Sequence, residues 1–554
     1  MKRLLSGNKA VATGAYEAGA VFASGYPGTP ATEIIEHLVQ YQDISACWAA
    51  NEKIALEMAS GASFAGKRSI VAMKHVGLNV ASDPLMTLAY TGVRAGLLIA
   101  VSDDPGMNSS QNEQDSRLYG HMANVPVLEP SDSNEAYLLT KEGFRISEKF
   151  DTPVILRLTA SISHTSSIVE TCGKDNVADK EVFKEPSKYV MLPPFCNQRR
   201  IDMLARLRNL EGFSDEFGFN RVEFNSEEIG IITSGISYQY AKEAVPDASV
   251  LKISMTNPLP LGMIRSFSEK IKRIYVIEES GPFMEKTIRA EGINVAVGNE
   301  RLKVHGELSI TDIRDFFYNN KPQASSAGSP DDGTFCPGCP YLGVFCILRN
   351  SGIYIFGDIG CYTLAAKTFE GSIDTTLCMG AGISQAAGFL KSRPHEKAVA
   401  VIGDSTFFHS GIPALINVVH HGIPVTVIIL NNRSTAMTGG QPYTGINIEL
   451  AKLVESTGVR DITEVDFYDI SSFRKILETC VSGNETSVII LNGECVIHNN
   501  PNPKIINSLI CDLCGECLKI KCPSLNIRNS SLHIDPDCIG CGLCSALCMK
   551  GAIG

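Results

Sequence analysis

Cys511, Cys514, Cys517 and Cys522 stand in the spacing C-x2-C-x2-C-x4-C with Pro523 next, and Cys538, Cys541, Cys544 and Cys548 follow as C-x2-C-x2-C-x3-C. Three closely spaced thiolates wrap one face of an iron-sulfur cubane, and in the bacterial two-cluster pattern the fourth cysteine of each run ligates the other cluster. The spacing therefore predicts two 4Fe-4S clusters. One would sit on Cys511, Cys514, Cys517 and Cys548, the other on Cys538, Cys541, Cys544 and Cys522. Zinc modules use paired C-x2-C halves rather than doubled triplets. Met549 stands where the pattern has a proline, which leaves the ligands untouched.

A second constellation lies upstream. Gly403-Asp404-Ser405 closes the apolar run Ala398 to Ile402, and after residues 406–430 Asn431-Asn432 closes the run Val425 to Leu430. Two such strand ends lie side by side at the carboxyl edge of a parallel sheet, where α/β proteins bind ligands. Asp404, the Asn432 amide oxygen and the Ser434 carbonyl would then form one face of an octahedral Mg²⁺ site, completed by diphosphate oxygens and water. Either turn alone is made of ordinary turn residues. Together they resemble the GD(G/S)…NN motif with which thiamine enzymes hold their diphosphate, placing Gly403, Asp404, Ser405 and Asn432 around it.

The elements that position these groups follow from the hydrophobic pattern. Strand-like runs at Val21 to Ser24, Gly96 to Ser102 and Thr152 to Thr159 alternate with Ala-rich or amphipathic stretches, which predicts a mostly parallel sheet. Pro-rich and charged residues 166–222 read as a linker with some helix. Ile229 to Thr233, Ser249 to Ile253 and Arg273 to Glu278 form a second set, ended by the Ser/Gly/Pro-rich stretch Ala324 to Gly333. Ile353 to Phe356, Ala398 to Ile402, Val425 to Leu430 and Ser487 to Leu491 form a third. At 554 residues several domains are expected. A net charge of -11 leaves no basic nucleic-acid surface, so nucleic acid is not an expected partner. No stretch of about 18 apolar residues and no signal-peptide pattern occurs, so the expectation is a cytoplasmic chain without a membrane partner. In such a chain 18 cysteines point to metal or redox chemistry rather than disulfides.

Glu52, in Cys47-Trp48-Ala49-Ala50-Asn51-Glu52-Lys53, opens an Ala-rich helix after an apolar strand. Alone it is a first-turn acid favoured by the helix macrodipole. Its surroundings carry longer motifs: Gly25-Tyr26-Pro27-Gly28-Thr29-Pro30, Lys74-His75-Val76-Gly77-Leu78-Asn79, Ser102-Asp103-Asp104-Pro105-Gly106 and Ser109-Ser110-Gln111-Asn112-Glu113-Gln114-Asp115. Further along stand Cys336-Pro337-Gly338-Cys339, Gly357-Asp358-Ile359-Gly360-Cys361 and Thr435-Ala436-Met437-Thr438-Gly439. Over nearly the whole chain, and in the same domain order, these resemble the large subunit of the indolepyruvate ferredoxin oxidoreductases, a family of thiamine diphosphate-dependent 2-oxo acid:ferredoxin oxidoreductases.

The resemblance implies an α/β chain of three doubly wound thiamine-enzyme-type domains with parallel sheets plus a small C-terminal two-cluster ferredoxin domain. Residues 1–165 would bind the pyrimidine, 166–222 link, 223–323 form a transketolase C-terminal-like domain, 334–498 bind diphosphate and Mg²⁺, and 502–554 hold the two clusters. Glu52 would bond the aminopyrimidine of thiamine diphosphate. Thr29 resembles the family's substrate-contacting threonine; its alternative is an ordinary turn residue. Lys74 and His75 follow the strand-like run Ser69 to Met73 at an expected edge of the site, where His75 is either an acid-base group or a structural histidine. Related enzymes place cysteines at points similar to Cys336, Cys339, Cys361 and Cys495 to hold a third 4Fe-4S cluster; the alternative is buried apolar thiols. Cys346, Cys378 and Cys480 read as packing residues.

The implied reaction is oxidative decarboxylation of a 2-oxo acid, with the acyl group taken by coenzyme A and electrons passed singly to ferredoxin. The implied assembly is two of these chains with two smaller subunits. The resemblance makes an aryl pyruvate the expected substrate; family members commonly carry His at the positions of Tyr341 and Gly440, so this chain would have two imidazoles fewer near the cofactor. Two other readings fit parts of the chain. A non-oxidative thiamine decarboxylase of the sulfopyruvate or phosphonopyruvate type needs no electron wire; an electron-transfer subunit with a vestigial thiamine site needs no intact Glu52, Asp404 and Asn432.

Overall fold

A computed structural model describes residues 1–178, 180–182, 184–296, 302, 306–319 and 334–554, in two compact units, Met1–Ser329 and Pro330–Gly554. The expected linker Ala324 to Gly333 lies outside the described residues. Among the described residues no helix is long and apolar enough to cross a membrane.

The first unit is built on a seven-stranded sheet, in spatial order Met255–Asn257, Val127–Leu128, Val154–Thr159, Leu97–Asp103, Ser69–Lys74, Phe22–Gly25 and Ser45–Trp48. Every pairing except the first is parallel. Its three central strands are buried at every position. Helices cover both faces of such strands, so they read as continuous apolar runs rather than alternations. A smaller sheet orders Arg273–Ile277, Ile229–Ser234 and Ser249–Ile253 in parallel, with Arg221–Glu223 antiparallel at its edge.

The segment 166–222, expected as a linker, is integral to this unit. Ser166–Glu170 pairs with Lys2–Ser6, and the helix Phe195–Asp215 places Met203 and Leu210 in the apolar cores beside the large sheet. Met255–Asn257 likewise leaves the second set to pair with Val127–Leu128.

The second unit holds five parallel strands in the order Tyr354–Phe356, Ala398–Gly403, Thr426–Asn431, Ser487–Asn492 and Asp461–Asp466. The cysteine-rich tail adds the hairpin Leu525–Arg528 with Ser531–Ile534. Ile520, Leu543 and Ile553 of the tail share one apolar core with Leu342, Phe345 and Phe467, so the tail is packed onto the sheet domain. Cys480 is buried in the helix Ile470–Ser482, as expected. Cys378, expected as a packing residue, is instead exposed in the turn before the helix Ala381–Ser392, where the chain bends at the surface.

A buried ion network joins the two sheets of the first unit. Arg157 Nε donates to Asp103 Oδ2 at 2.6 Å and Nη1 to Glu129 Oε2 at 3.0 Å. Arg117 reaches Asp115 Oδ2 at 2.7 Å, Glu278 Oε2 at 2.6 Å and the Glu279 carbonyl at 2.8 Å. Burial pushes the Glu278 and Glu279 carboxyls up to about 7 against the pull of the guanidinium groups. Removing one partner from such a network strands its buried counter-charge, at a cost of about 3–5 kcal/mol. Arg157→Met is expected to lower stability by that amount, read as a lower denaturant midpoint; an unchanged midpoint would show that the network is energetically neutral.

Candidate functional site

The carboxyl ends of neighbouring parallel strands carry the candidate residues of the first unit. After Ser45–Trp48, the Asn51 side chain accepts from the Ile54 N–H at 2.9 Å and caps the helix Glu52–Phe64, which puts buried Glu52 in its first turn. A Cβ on Gly77 would lie 2.6 Å from Glu52 Cγ, so only glycine admits that carboxylate against the helix His75–Val80. After Phe22–Gly25, the turn holding Thr29 is fixed by Gly28 N–H donating to Thr32 Oγ1 at 3.0 Å and Asn8 Nδ2 donating to the Pro30 carbonyl at 2.8 Å. Thr29 is half-buried and its carbonyl accepts from Ser109 Oγ at 3.1 Å.

His75 is fully buried, with Nε2 placed to donate to the Asn112 carbonyl at 2.9 Å; its Nδ1 has no partner among the described residues. That bond anchors the loop following Leu97–Asp103. Asp104 organises the same loop, accepting from Asn108 N–H at 3.2 Å, Ser109 N–H at 2.8 Å and Ser110 Oγ at 2.6 Å.

In the second unit Ala398–Gly403 and Thr426–Asn431 are hydrogen-bonded neighbours with Gly403 opposite Leu430, so Asp404 and Asn432 leave one sheet edge together. Asp404 accepts from Ser405 N–H and Arg433 N–H, both at 2.7 Å, and Asn432 Oδ1 accepts from Ser434 N–H at 3.2 Å. Arg433 turns through φ 59° to make this possible. Gly403 N–H donates to Tyr362 OH at 3.1 Å, and the Ser405 and Thr435 hydroxyls lie 3.1 Å apart. Burial pushes the Asp404 carboxyl up to about 7 despite those amides. A buried carboxylate next to amide and carbonyl oxygens is a hard-oxygen donor set that a divalent cation would hold in its ionised form, so the residues fit Mg²⁺.

The cysteines gather in three groups. Cys336 lies beside Cys339, Cys361 and Cys495, and those three thiols are pushed up first by burial and then by the neighbouring thiols of the group, Cys361 to about 12. Cys511, Cys514, Cys517 and Cys548 line one small cavity together with Asp512, Lys550 and apolar side chains, and Cys522, Cys538, Cys541 and Cys544 line another. Among the described residues no three Cys, His, Asp or Glu side chains converge on a single ion. Four thiols gathered in one place are the donor set of a 4Fe-4S cluster, so the residues of each group fit one. Gly338, between Cys336 and Cys339, abuts Ile539, and its Cβ position lies 3.4 Å from Cys541 Sγ; Tyr468 OH donates to the Gly338 carbonyl at 3.3 Å.

With this geometry in hand, residues 13–203 match the family "Pyruvate flavodoxin/ferredoxin oxidoreductase, thiamine diP-bdg", and residues 358–491 match "Thiamine pyrophosphate enzyme, C-terminal TPP binding domain". The whole chain is 35% identical to the indolepyruvate oxidoreductase subunit IorA of Methanothermobacter thermautotrophicus and covers 97% of that protein. It is 35% identical to that subunit of Archaeoglobus fulgidus and 32% to that of Pyrococcus horikoshii, spanning 100% of this chain and 97% and 96% of theirs. The chain belongs to this indolepyruvate oxidoreductase subunit family. Its α/β sheets include thiamine diphosphate-binding domains, and the two matched segments of this IorA-family chain contain Glu52 and Asp404 with Asn432, respectively.

Several residues of the site escaped sequence reasoning, Asp104 and Asp358 although they sit inside its motifs. Asp104 fixes the loop over Thr29. Buried Asp358 accepts from Gly380 N–H at 2.8 Å and Gly382 N–H at 3.1 Å at the start of the helix Ala381–Ser392. Tyr362 and Tyr468 support Gly403 and Gly338 through single hydroxyls, which no spacing encodes. Asp404→Asn, which retains hydrogen-bonding capacity but removes the charge, is expected to weaken Mg²⁺ and thiamine diphosphate binding together by roughly 10–100-fold. Unchanged thiamine diphosphate affinity across a magnesium titration would remove Asp404 from the metal site.

Proposed function

We infer that this chain is the catalytic subunit of a thiamine diphosphate-dependent 2-oxo acid:ferredoxin oxidoreductase of the indolepyruvate type. It oxidatively decarboxylates an aryl pyruvate to its acyl-coenzyme A and delivers the electrons to ferredoxin. The observation that carries this reading is the presence, within one packed unit, of the Asp404–Asn432 strand edge and three groups of four cysteines. A non-oxidative decarboxylase needs only the first and an electron carrier only the second.

In this reading the sheets of residues 1–165, 223–323 and 334–498 are three thiamine-enzyme-type domains, joined by 166–222, and 502–554 is a two-cluster ferredoxin domain. Asp404, Asn432 and Ser434 hold Mg²⁺, with Gly403 and Ser405 beside the diphosphate. Glu52 holds a proton against the aminopyrimidine nitrogen. Thiamine diphosphate supplies an electron sink for the pair left behind as CO₂ departs. Cys336, Cys339, Cys361 and Cys495 hold a third 4Fe-4S cluster, and Gly338 brings this group against Cys541 of the next. The tail thus continues a one-electron relay from the thiamine domain outward. The relatives are named as subunits, which supports a further, smaller chain in a two-plus-two assembly.

Anaerobic assays of the complex are expected to show coenzyme A-dependent viologen reduction, faster with aryl pyruvates than with branched or short 2-oxo acids. CO₂ release that ignores the dye would establish the non-oxidative reaction instead. Glu52→Gln should retain thiamine diphosphate while turnover falls about 10²–10⁴-fold, the usual worth of positioned proton transfer; near-normal turnover would exclude Glu52. Cys339→Ala in the full chain should lower iron from about twelve to about eight atoms per chain. Equal iron in wild type and variant would leave only the tail clusters.

A further inference from the structure

Cys361 lies in a loop that is stitched to the Asp404 edge. The loop leaves the strand Tyr354–Phe356, whose hydrogen-bonded neighbour Ala398–Gly403 delivers Asp404. Tyr362, the residue after Cys361, is buried. Its hydroxyl donates to the Ile359 carbonyl at 3.0 Å and accepts from Gly403 N–H at 3.1 Å. Thr406 Oγ1 donates to the same Ile359 carbonyl at 3.0 Å. Asp358 holds the start of the loop, accepting from Ile359 N–H at 2.8 Å as well as from the amides of Gly380 and Gly382.

The ring of Tyr362 is fitted as closely as its hydroxyl. A Cβ on Gly360 would stand 2.5 Å from Cε1 of that ring, and one on Gly403 would stand 3.0 Å from the same atom. The cysteine group is near the Asp404 edge at a second point: burial does most to push the Cys495 thiol up, and Cys336 and Asp404 push it further.

A cluster held by Cys361 would fix the loop 359–362, and Mg²⁺ with a diphosphate at Asp404 would fix the turn 403–406. Each ordering costs conformational entropy, and where the two segments share hydrogen bonds the second ligand finds its segment already ordered. Such coupling is reciprocal in the binding free energies.

We propose that Tyr362 is a positioning residue that couples the two places: a cluster on Cys336, Cys339, Cys361 and Cys495 strengthens binding of Mg²⁺ and thiamine diphosphate at Asp404, and these in turn protect the cluster. This rests on the third cluster of the reading above and adds its link to the cofactor. A chain that has lost this cluster, and with it the electron path, then loosens its hold on the cofactor as well.

The experiment is a double-mutant cycle of wild type, Cys339→Ala, Tyr362→Phe and the double variant. Thiamine diphosphate is titrated calorimetrically, with Mg²⁺ in excess, into the cofactor-depleted complex under anaerobic conditions. Cys339 lies outside the loop 359–362, so its loss removes a cluster ligand without touching the Tyr362 hydrogen bonds. Cys339→Ala is expected to bind thiamine diphosphate about 5–150-fold more weakly than wild type. Tyr362→Phe keeps the ring and deletes the hydroxyl; in its background the same cysteine change should cost less than about twofold. Equal weakening in both backgrounds would reduce Tyr362 to a structural support and overturn the proposal, as would no weakening in either.

Iron released to a chelator reads the coupling from the other side and needs no cysteine variant. Mg²⁺ with thiamine diphosphate should slow the loss of about four iron atoms per chain in wild type but not in Tyr362→Phe. No protection in wild type, or undiminished protection in Tyr362→Phe, would likewise overturn the proposal. If Cys339→Ala lacks about four iron atoms yet binds thiamine diphosphate as wild type does, the coupling alone fails. Equal iron in wild type and Cys339→Ala removes the third cluster and the coupling with it.

Discussion

Two oxygen donors from distant parts of a chain can share a cation only if the backbone brings them to one place without strain. Parallel pairing of Ala398–Gly403 with Thr426–Asn431 does this in the second unit. A slip of one residue would turn every side chain to the opposite face and move one strand end past the other. The register therefore sets the relation between Asp404 and Asn432. The Tyr362 hydroxyl on Gly403 and the left-handed turn at Arg433 then close the site.

The first unit meets a different demand, because its strands end in charged rather than merely polar groups. It separates these into two classes. Asp103, Asp115, Glu129 and Glu278 are matched by Arg117 and Arg157 deep between the sheets and serve cohesion. Asp104, Glu52 and Lys74 lie at the outer edge of the same strands, held by backbone amides, a helix cap and a carbonyl. Asp103 and Asp104 are adjacent in sequence yet fall into opposite classes, because one residue of strand reverses the direction of the side chain.

That contrast explains what the sequence could disclose. The parallel strands were legible, with ends shifted by one or two residues, because buried strands are continuous apolar runs. The two tail groups were legible because their cysteines are mostly local in sequence, whereas Cys336, Cys339, Cys361 and Cys495 are spread over the whole second unit and only the family resemblance pointed to them. Asp461–Asp466 was not, since this edge strand is largely polar and half-exposed. Nor was the return of Met255–Asn257 to the large sheet, a pairing across more than a hundred residues that leaves no local trace. Asp104 and Asp358 lay within recognised motifs and Tyr362 just after one, but their tasks depend on partners that only the folded chain supplies.

Gly338 carries a consequence for how this architecture can be reused. With φ at +68° and Ile539 pressed against its α-carbon, it leaves no room for a side chain. The cysteine tail is thus fitted to its neighbour as a key to a lock, and Leu543 and Ile520 extend that fit into the interior. A cysteine-rich segment borrowed from another protein would carry cysteines of the right spacing but not the complementary surface. Portability by domain shuffling is therefore low: the loop at 336–339 and the loop at 538–541 must be inherited, or engineered, as a pair.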